Sequence, residues 1–405
     1  MSPDVVNDWW QRDDLCYQDG ELLFAGHRIA DLARDLGTPT FIYSFSRVQE
    51  NLKRLHQALT NAELDSGYSL LYAMKANRFA PLLTALQQTG LCGIDACSPR
   101  EVDLAVSCGF RPEQISFTAG SLSARDVEAL SRYENLFVDC DSIHAIRMWG
   151  KQRPGSTIGI RVNPAMGVSR ADNERLQYAG EVTTKFGIYR EQFDEALQVA
   201  AEYGLSVTKI HFHTGCGYLT PELDQWDRVI EACMWFVERV PTVRTVNVGG
   251  GLGVPHTPDD GRLDLKLWSG VLHKHFANRG LRLELEPGEY LLKDAGLLLL
   301  GKTFLETKQT TLFLGVDAGF NIAPEPAYYH LPFQPVALSL AAGMDRQKMT
   351  VVGNINEALD VWYADALLPD MTNQSVLALI NAGAYSSSMA SDHCMRGQFR
   401  EVLLT

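Results

Sequence analysis

Tyr72-Ala73-Met74-Lys75-Ala76-Asn77 brings an apolar run (Leu70, Leu71, Tyr72, Met74) to a single lysine, then leads through Arg78 into a helical pattern. Lysine is almost never fully buried without a partner or a task. Desolvation lowers the pKa of an amine and makes it a nucleophile able to form a Schiff base with a carbonyl. The competing reading is a strand-end lysine that bends its head to solvent. Which reading holds depends on what the other strand ends carry.

Moving outward from Lys75, a regular alternation appears. Strand-like runs fall at Leu70–Met74, Gly93–Cys97, Ile115–Thr118, Leu136–Cys140, Thr157–Val162, Val207–His213, Val243–Val248 and Leu281–Glu286. Helical patterns with caps separate most of them: Ser98-Pro99-Arg100-Glu101, Ser123 with Asp126, and Gln192 to Tyr203 ending at Gly204. Eight strand–helix units in this length predict an α/β fold, a (β/α)8 TIM-like barrel with its active site at the C-terminal strand ends. After about Leu291 the rhythm changes to short strands (Leu297–Phe304, Thr310–Val316, Gln334–Leu340, Met349–Val352, Ser375–Ile380), which predicts an all-β domain. The N-terminal signals predict its completion: strands at Leu15–Tyr17, Leu22–Phe24 and Thr40–Tyr43, with a helix over Ile29–Leu36. A capping box at Ser46 and Gln49 opens a further helix. The expected division is an N-terminal segment over 1–42, a barrel over 43–290 and a C-terminal β-domain over 291–405.

With 405 residues, 46% of them hydrophobic, the chain can bury a large core. Its net charge of −13 excludes a basic stripe for nucleic acid. The first residues lack the apolar core of a signal peptide, and no apolar run is long enough to span a bilayer. Eight scattered cysteines without metal-ligand spacing point to reduced thiols, a cytoplasmic location and no metal site.

The other strand ends supply chemistry that matches the lysine. The sixth ends in His211-Phe212-His213-Thr214-Gly215-Cys216-Gly217, where an imidazole can stack on a planar cofactor. The seventh ends in Gly249-Gly250-Gly251-Leu252-Gly253, whose backbone N–H groups can close on an anion. The eighth ends in Glu286-Pro287-Gly288-Glu289, a carboxylate on a rigid turn. Each feature is common alone. Together they describe a pyridoxal 5'-phosphate site, in which Glu286 keeps the pyridine nitrogen protonated and the ring becomes an electron sink that makes loss of CO2 feasible.

Tyr72–Asn77, Lys185-Phe186-Gly187, His211–Gly217, Gly249–Gly253, Glu286–Gly288 and Gly383-Ala384-Tyr385 resemble the fold-type III pyridoxal phosphate decarboxylases, whose barrel is alanine racemase-like. The nearest likeness is to diaminopimelate decarboxylase, with ornithine and arginine decarboxylases as cousins, and the motifs occur in family order over nearly the whole chain. The resemblance implies that Lys75 is the Schiff-base lysine, that His213 stacks on the ring and that Glu286 binds the pyridine nitrogen. It implies that Gly250, Gly251, Gly288 and Tyr385 hold the phosphate, with Asp95 and Arg161 near the cofactor. It also implies a homodimer with shared active sites, into which the segment Gly353–Asp360 reaches from the partner.

The departures from the family pattern concern donor and substrate. Asn356 stands where the family carries its proton-donating cysteine, before Glu357, and Cys394 is a replacement to consider. Cys216 replaces a phosphate-binding serine and is a weaker donor. Glu289 and Glu325 (before Pro326-Ala327-Tyr328-Tyr329) replace the two arginines with which diaminopimelate decarboxylases hold the distal carboxylate. At about 4 Å and an effective dielectric near 20, each such charge pair is worth roughly 4 kcal/mol before desolvation. The sign of the charge therefore favours a cationic side chain, with Glu289, Glu325, Tyr329, Asn356, Glu357 and Tyr385 as substrate-side residues. The expectation is a decarboxylase of the ornithine or lysine type, with D- and L-substrates both open. Rival readings are meso-diaminopimelate decarboxylation giving L-lysine, a larger or carrier-bound amino acid, a racemase, or a partner-binding homologue without activity.

Overall fold

The computed structural model describes residues 8–64, 66–340 and 345–405, apart from the side chain of Asp172. Two units emerge. One is built from Leu52–Gly253 and Arg262–Tyr290, the other from Met1–Asn51, Val254–Gly261 and Leu291–Thr405.

In the first unit the apolar runs become eight parallel strands: β1 (Tyr68–Ala73), β2 (Gly93–Ala96), β3 (Ile115–Ala119), β4 (Phe137–Cys140), β5 (Thr157–Arg161), β6 (Ser206–His211), β7 (Thr245–Asn247) and β8 (Arg282–Leu285). They pair in sequence order, and β8 closes onto β1 through Leu283↔Tyr68, Glu284↔Ser69 and Leu285↔Leu70. The barrel is a (β/α)8 barrel in which every strand points its C-terminal end the same way. Helix starts follow local capping chemistry. Ser98 accepts a hydrogen bond from the Glu101 N–H at 3.2 Å, with Pro99 at the first helical position. Ser123 and Asp126 satisfy each other's backbone N–H groups, and Ser142 caps the Ala145 N–H at 3.1 Å.

The second unit is mostly sheet. Its strands lie in the order Pro335–Ala337, Val376–Ile380, Gly296–Lys308, Thr311–Val316, Gln347–Val352 and Val361–Leu368. Thr40–Ser44 pairs antiparallel with Gly296–Lys308 and parallel with Arg400–Leu404, so both ends of the chain enter this sheet. Its core joins Leu22, Phe24 and Ile42 to Leu297, Leu299, Ala378 and Ile380. The helix after Thr40–Ser44 runs over Phe45–Asn61, two residues earlier than a Ser46 cap predicts, because Ser44 Oγ accepts the Arg47 N–H at 3.2 Å. Three strands were not expected: the two-residue His27–Arg28, Val361–Leu368 and Arg400–Leu404. Val361–Leu368 is interrupted by Asp365 at φ 54°, and Arg400–Leu404 finds its partner some 360 residues away in sequence. Among the described residues, no helix is long and apolar enough to cross a membrane.

Candidate active site

The C-terminal rim of the barrel gathers the polar side chains. Lys75 sits on the single 3-10 turn (Met74–Ala76) that follows β1, with its side chain 39% exposed. Its Nζ lies 3.4 Å from Asp95 Oδ2, on β2, and 3.8 Å from Cys97 Sγ just beyond it. Asp95 is buried and, among the described residues, its Oδ1 has no hydrogen-bond partner. Burial, and then the charge of Glu286, push its carboxyl up to about 7 against the pull of Lys75. Burial pushes the Cys97 thiol up to about 12, so it keeps its proton at neutral pH.

Glu286 follows β8 and is 5% exposed. Its Oε1 accepts from Asn247 Nδ2 at 2.8 Å and lies 3.4 Å from His211 Nε2, while Asn247 Oδ1 takes the Gly249 N–H at 2.9 Å. Burial alone would raise the Glu286 pKa. The neighbouring His211, with Lys75 beyond, overcomes that and holds it well below the usual carboxylate range. Two neighbouring acids thus diverge: Glu286 stays ionised while Asp95 titrates near neutrality.

His213 lies two residues past β6. Its ring is 4.8 Å from the Tyr178 ring at a 49° tilt, and its Nε2 is 3.5 Å from Cys216 Sγ. Loss of hydration, followed by the positive charges of Lys75 and Arg161, keeps its pKa well below normal and its ring neutral. Arg161 ends β5, pairs with Asp141 at 3.0 Å and donates to the His213 carbonyl at 3.4 Å. The guanidinium carbon also rests 4.8 Å above the Phe186 ring. Burial, then Glu289, push Cys216 up to about 12.

The glycines have no room for side chains. A Cβ on Gly250 would strike the Glu286 carbonyl oxygen, and one on Gly251, at φ 93°, would strike that of Gly215. The loops after β6, β7 and β8 therefore approach closely, leaving bare backbone for an anion. A lysine amine, an ionised carboxylate, a neutral imidazole and a glycine cradle at one rim fit pyridoxal phosphate.

The family model described as pyridoxal-dependent decarboxylase, pyridoxal binding domain, matches residues 45–293. The chain belongs to that family and is a pyridoxal phosphate-dependent amino acid decarboxylase. Diaminopimelate decarboxylase of Methanothermobacter thermautotrophicus is 32% identical over 100% of this chain and 93% of its own length. The enzyme of the same name from Aquifex aeolicus is 27% identical over 96% of this chain and 92% of its own. Among solved structures, diaminopimelate decarboxylase from M. jannaschii in complex with L-lysine superposes with a TM-score of 0.86 at 24% identity, covering 97% of this chain and 93% of that one. The Paramecium bursaria Chlorella virus arginine decarboxylase gives 0.79 at 15%, over 93% and 99%. These last two likenesses show the shared fold.

The remaining sequence-predicted residues fall in two places. Glu289, in the barrel unit, is buried with its Oε1 4.0 Å from Arg170 Nη2. In the β-rich unit, Glu325 is 3% exposed and ion-paired with the fully buried Lys293. Tyr329 and Tyr385 are half-buried there, the latter at φ 53°. Asn356 and Glu357 are exposed, Glu357 3.5 Å from His393 Nε2, and Cys394 is exposed on the His393–Met395 turn.

Sequence reasoning gave no role to His211, Asn247, Arg170, Lys209 or Lys293. His211 lies inside the quoted motif, and its place one pleat before His213 was the available signal. Lys209, a lysine inside an apolar strand, was another. It is 2% exposed and bridges Asp139 at 3.0 Å and Glu284 at 2.9 Å. Arg170 and Lys293 carry no local pattern.

Proposed function

We propose that this chain decarboxylates meso-diaminopimelate, or a close diamino dicarboxylate, giving CO2 and L-lysine or its analogue. The observation that carries the reading is a buried cation beside each glutamate expected to repel a distal carboxylate: Arg170 beside Glu289 and Lys293 beside Glu325. With those charges offset, the sign argument for a cationic side chain loses most of its force. Relatives that bear the name diaminopimelate decarboxylase over the whole chain point the same way.

In this reading Lys75 would hold the cofactor aldehyde, Glu286 would pair with its ring nitrogen, and Gly250, Gly251, Gly288 and Tyr385 would hold its phosphate. Pyridoxal phosphate, when bound, supplies the carbonyl that takes the substrate amine and the electron-withdrawing ring that accepts the electron pair left by CO2. Glu286 stays anionic because Asn247 and His211 hold it, so it can keep a proton on a facing nitrogen. Asp95, titrating near 7 within 3.4 Å of Lys75 Nζ, can take or return a proton at that amine. His213 presents a neutral ring to stack. The protein acts in the cytoplasm as a homodimer with shared sites, where Asn356, Glu357 and Tyr329 face substrate and the exposed thiol of Cys394 returns a proton to product.

A second reading, a cationic side chain of the ornithine or lysine type in either hand, rests on Glu357. Its carboxylate is exposed and faces the equally exposed His393, so among the described residues no buried cation pairs with it. Purified protein incubated with meso-diaminopimelate, D- and L-lysine, D- and L-ornithine and L-arginine separates the two. CO2 release and the bound-cofactor absorbance are followed together, with Lys75→Ala as control. Fastest release from meso-diaminopimelate is expected. Faster turnover of a basic amino acid would replace the first reading with the second.

A further inference from the structure

The glycine cradle poses a charge problem. Position 216 offers a thiol where the family pattern has a phosphate-binding serine, and a thiol donates a weak hydrogen bond. Glu289 directly follows Gly288 and brings a negative charge toward the same loops. Without a cation at this place, a bound phosphate dianion would meet one weak donor and one repulsive neighbour.

Arg170 lies at this place. It is 8% exposed, its Nε donates to the Gly217 carbonyl at 3.1 Å, and its backbone N–H donates to the Cys216 carbonyl at 3.3 Å. A Cβ on Gly253 would stand 3.0 Å from its Nη2, and one on Gly217 3.5 Å from its Cβ. The guanidinium is therefore seated between the loop after β6 and the glycine run after β7. Its Nη2 also stands 4.0 Å from Glu289 Oε1. A rigid guanidinium fork suits phosphate oxygens better than any other side chain.

We infer that Arg170 is the cation that binds the cofactor phosphate in this chain, making up for the thiol at 216 and offsetting Glu289. The inference rests on the glycine loops being the phosphate cradle. Its test reads binding and does not depend on turnover. Protein freed of cofactor is titrated with pyridoxal phosphate and with pyridoxal, which lacks the phosphate, and absorbance gives the two dissociation constants. Inorganic phosphate serves as competitor.

Wild type is expected to prefer pyridoxal phosphate strongly. Arg170→Met should weaken pyridoxal phosphate roughly 10- to 100-fold, the range of a lost charge-assisted hydrogen bond. It should leave pyridoxal nearly unchanged and abolish competition by inorganic phosphate. Retained pyridoxal binding reports that the variant is folded, and Arg170→Lys should recover part of the loss. Glu289→Gln removes a repulsive charge and should tighten pyridoxal phosphate. Unchanged pyridoxal phosphate affinity in Arg170→Met, an equal loss for pyridoxal, or a loss in Glu289→Gln matching that of Arg170→Met would each overturn the role of Arg170. Failure of the wild type to prefer pyridoxal phosphate would instead overturn the cradle itself.

Discussion

Substituting Glu325 separates a residue that reads substrate from one that holds the fold. Its carboxylate is paired with Lys293, which is 0% exposed, donates to the Ala384 carbonyl at 2.9 Å and lies 4.7 Å over the Phe333 ring. Removing one partner of a buried pair costs about 3–5 kcal/mol, because the survivor is left charged and dry. Lys293→Met, which strands the glutamate, should sit at the upper end of that range. Glu325→Gln should sit near about 3 kcal/mol, since the amide oxygen and Ala384 still accept from the ammonium. The double change Lys293→Met with Glu325→Leu should recover most of the loss. Urea unfolding followed by tryptophan fluorescence measures all three. In parallel, the ratio of kcat/KM for meso-diaminopimelate over L-lysine should move less than about threefold in Glu325→Gln, under 1 kcal/mol of selectivity. A Glu325→Gln protein within about 1 kcal/mol of wild-type stability, with that ratio shifted tenfold or more, would refute the reasoning and return Glu325 to the substrate.

Asp95, raised to about 7 from its ordinary value of 3.8, binds a proton in the fold that the unfolded chain has already lost. Its stability contribution is thus complete below the unfolded pKa and is lost as pH rises through the folded one. Thermal melts should show Asp95→Asn gaining on wild type from about pH 4 to 7 and level above; a gap constant with pH would contradict the assignment. Glu286, depressed, acts in the opposite sense and in a separate window, losing stability as pH falls below its ordinary value of 4.5. Lys209→Met should cost about 3–5 kcal/mol by stranding Asp139 and Glu284, and adding Asp139→Asn should return part of it; independence of the two changes in urea would deny the shared network. Maleimide at neutral pH should label exposed Cys394 first, while the protonated thiols of Cys97 and Cys216 lag. Loss of the fast phase in Cys394→Ser checks this, and equally fast labelling of Cys97 would contradict it.

The barrel was legible along the chain because its information is local. Eight apolar runs separated by capped helices can be read one after another, and all eight observed strands fall within two residues of the expected ones. The cofactor was legible for the same reason, since Lys75, His213, Gly250, Gly251 and Glu286 each sit at a strand end that the rhythm locates. Charge environment was not. Whether Glu289 and Glu325 repel a carboxylate depends on Arg170 and Lys293. Arg170 is more than a hundred residues from its partner, and neither arginine nor lysine lies in a pattern that marks a contact. Likewise Arg400–Leu404 reads as a strand only beside Thr40–Ser44, at the other end of the chain. Sequence by itself determined the periodic elements and the chemistry at their ends, because helix and strand periods and caps act over a few residues. Only the tertiary structure decided which buried charges cancel, because electrostatics depends on distance through space and on the exclusion of water, and neither is encoded locally.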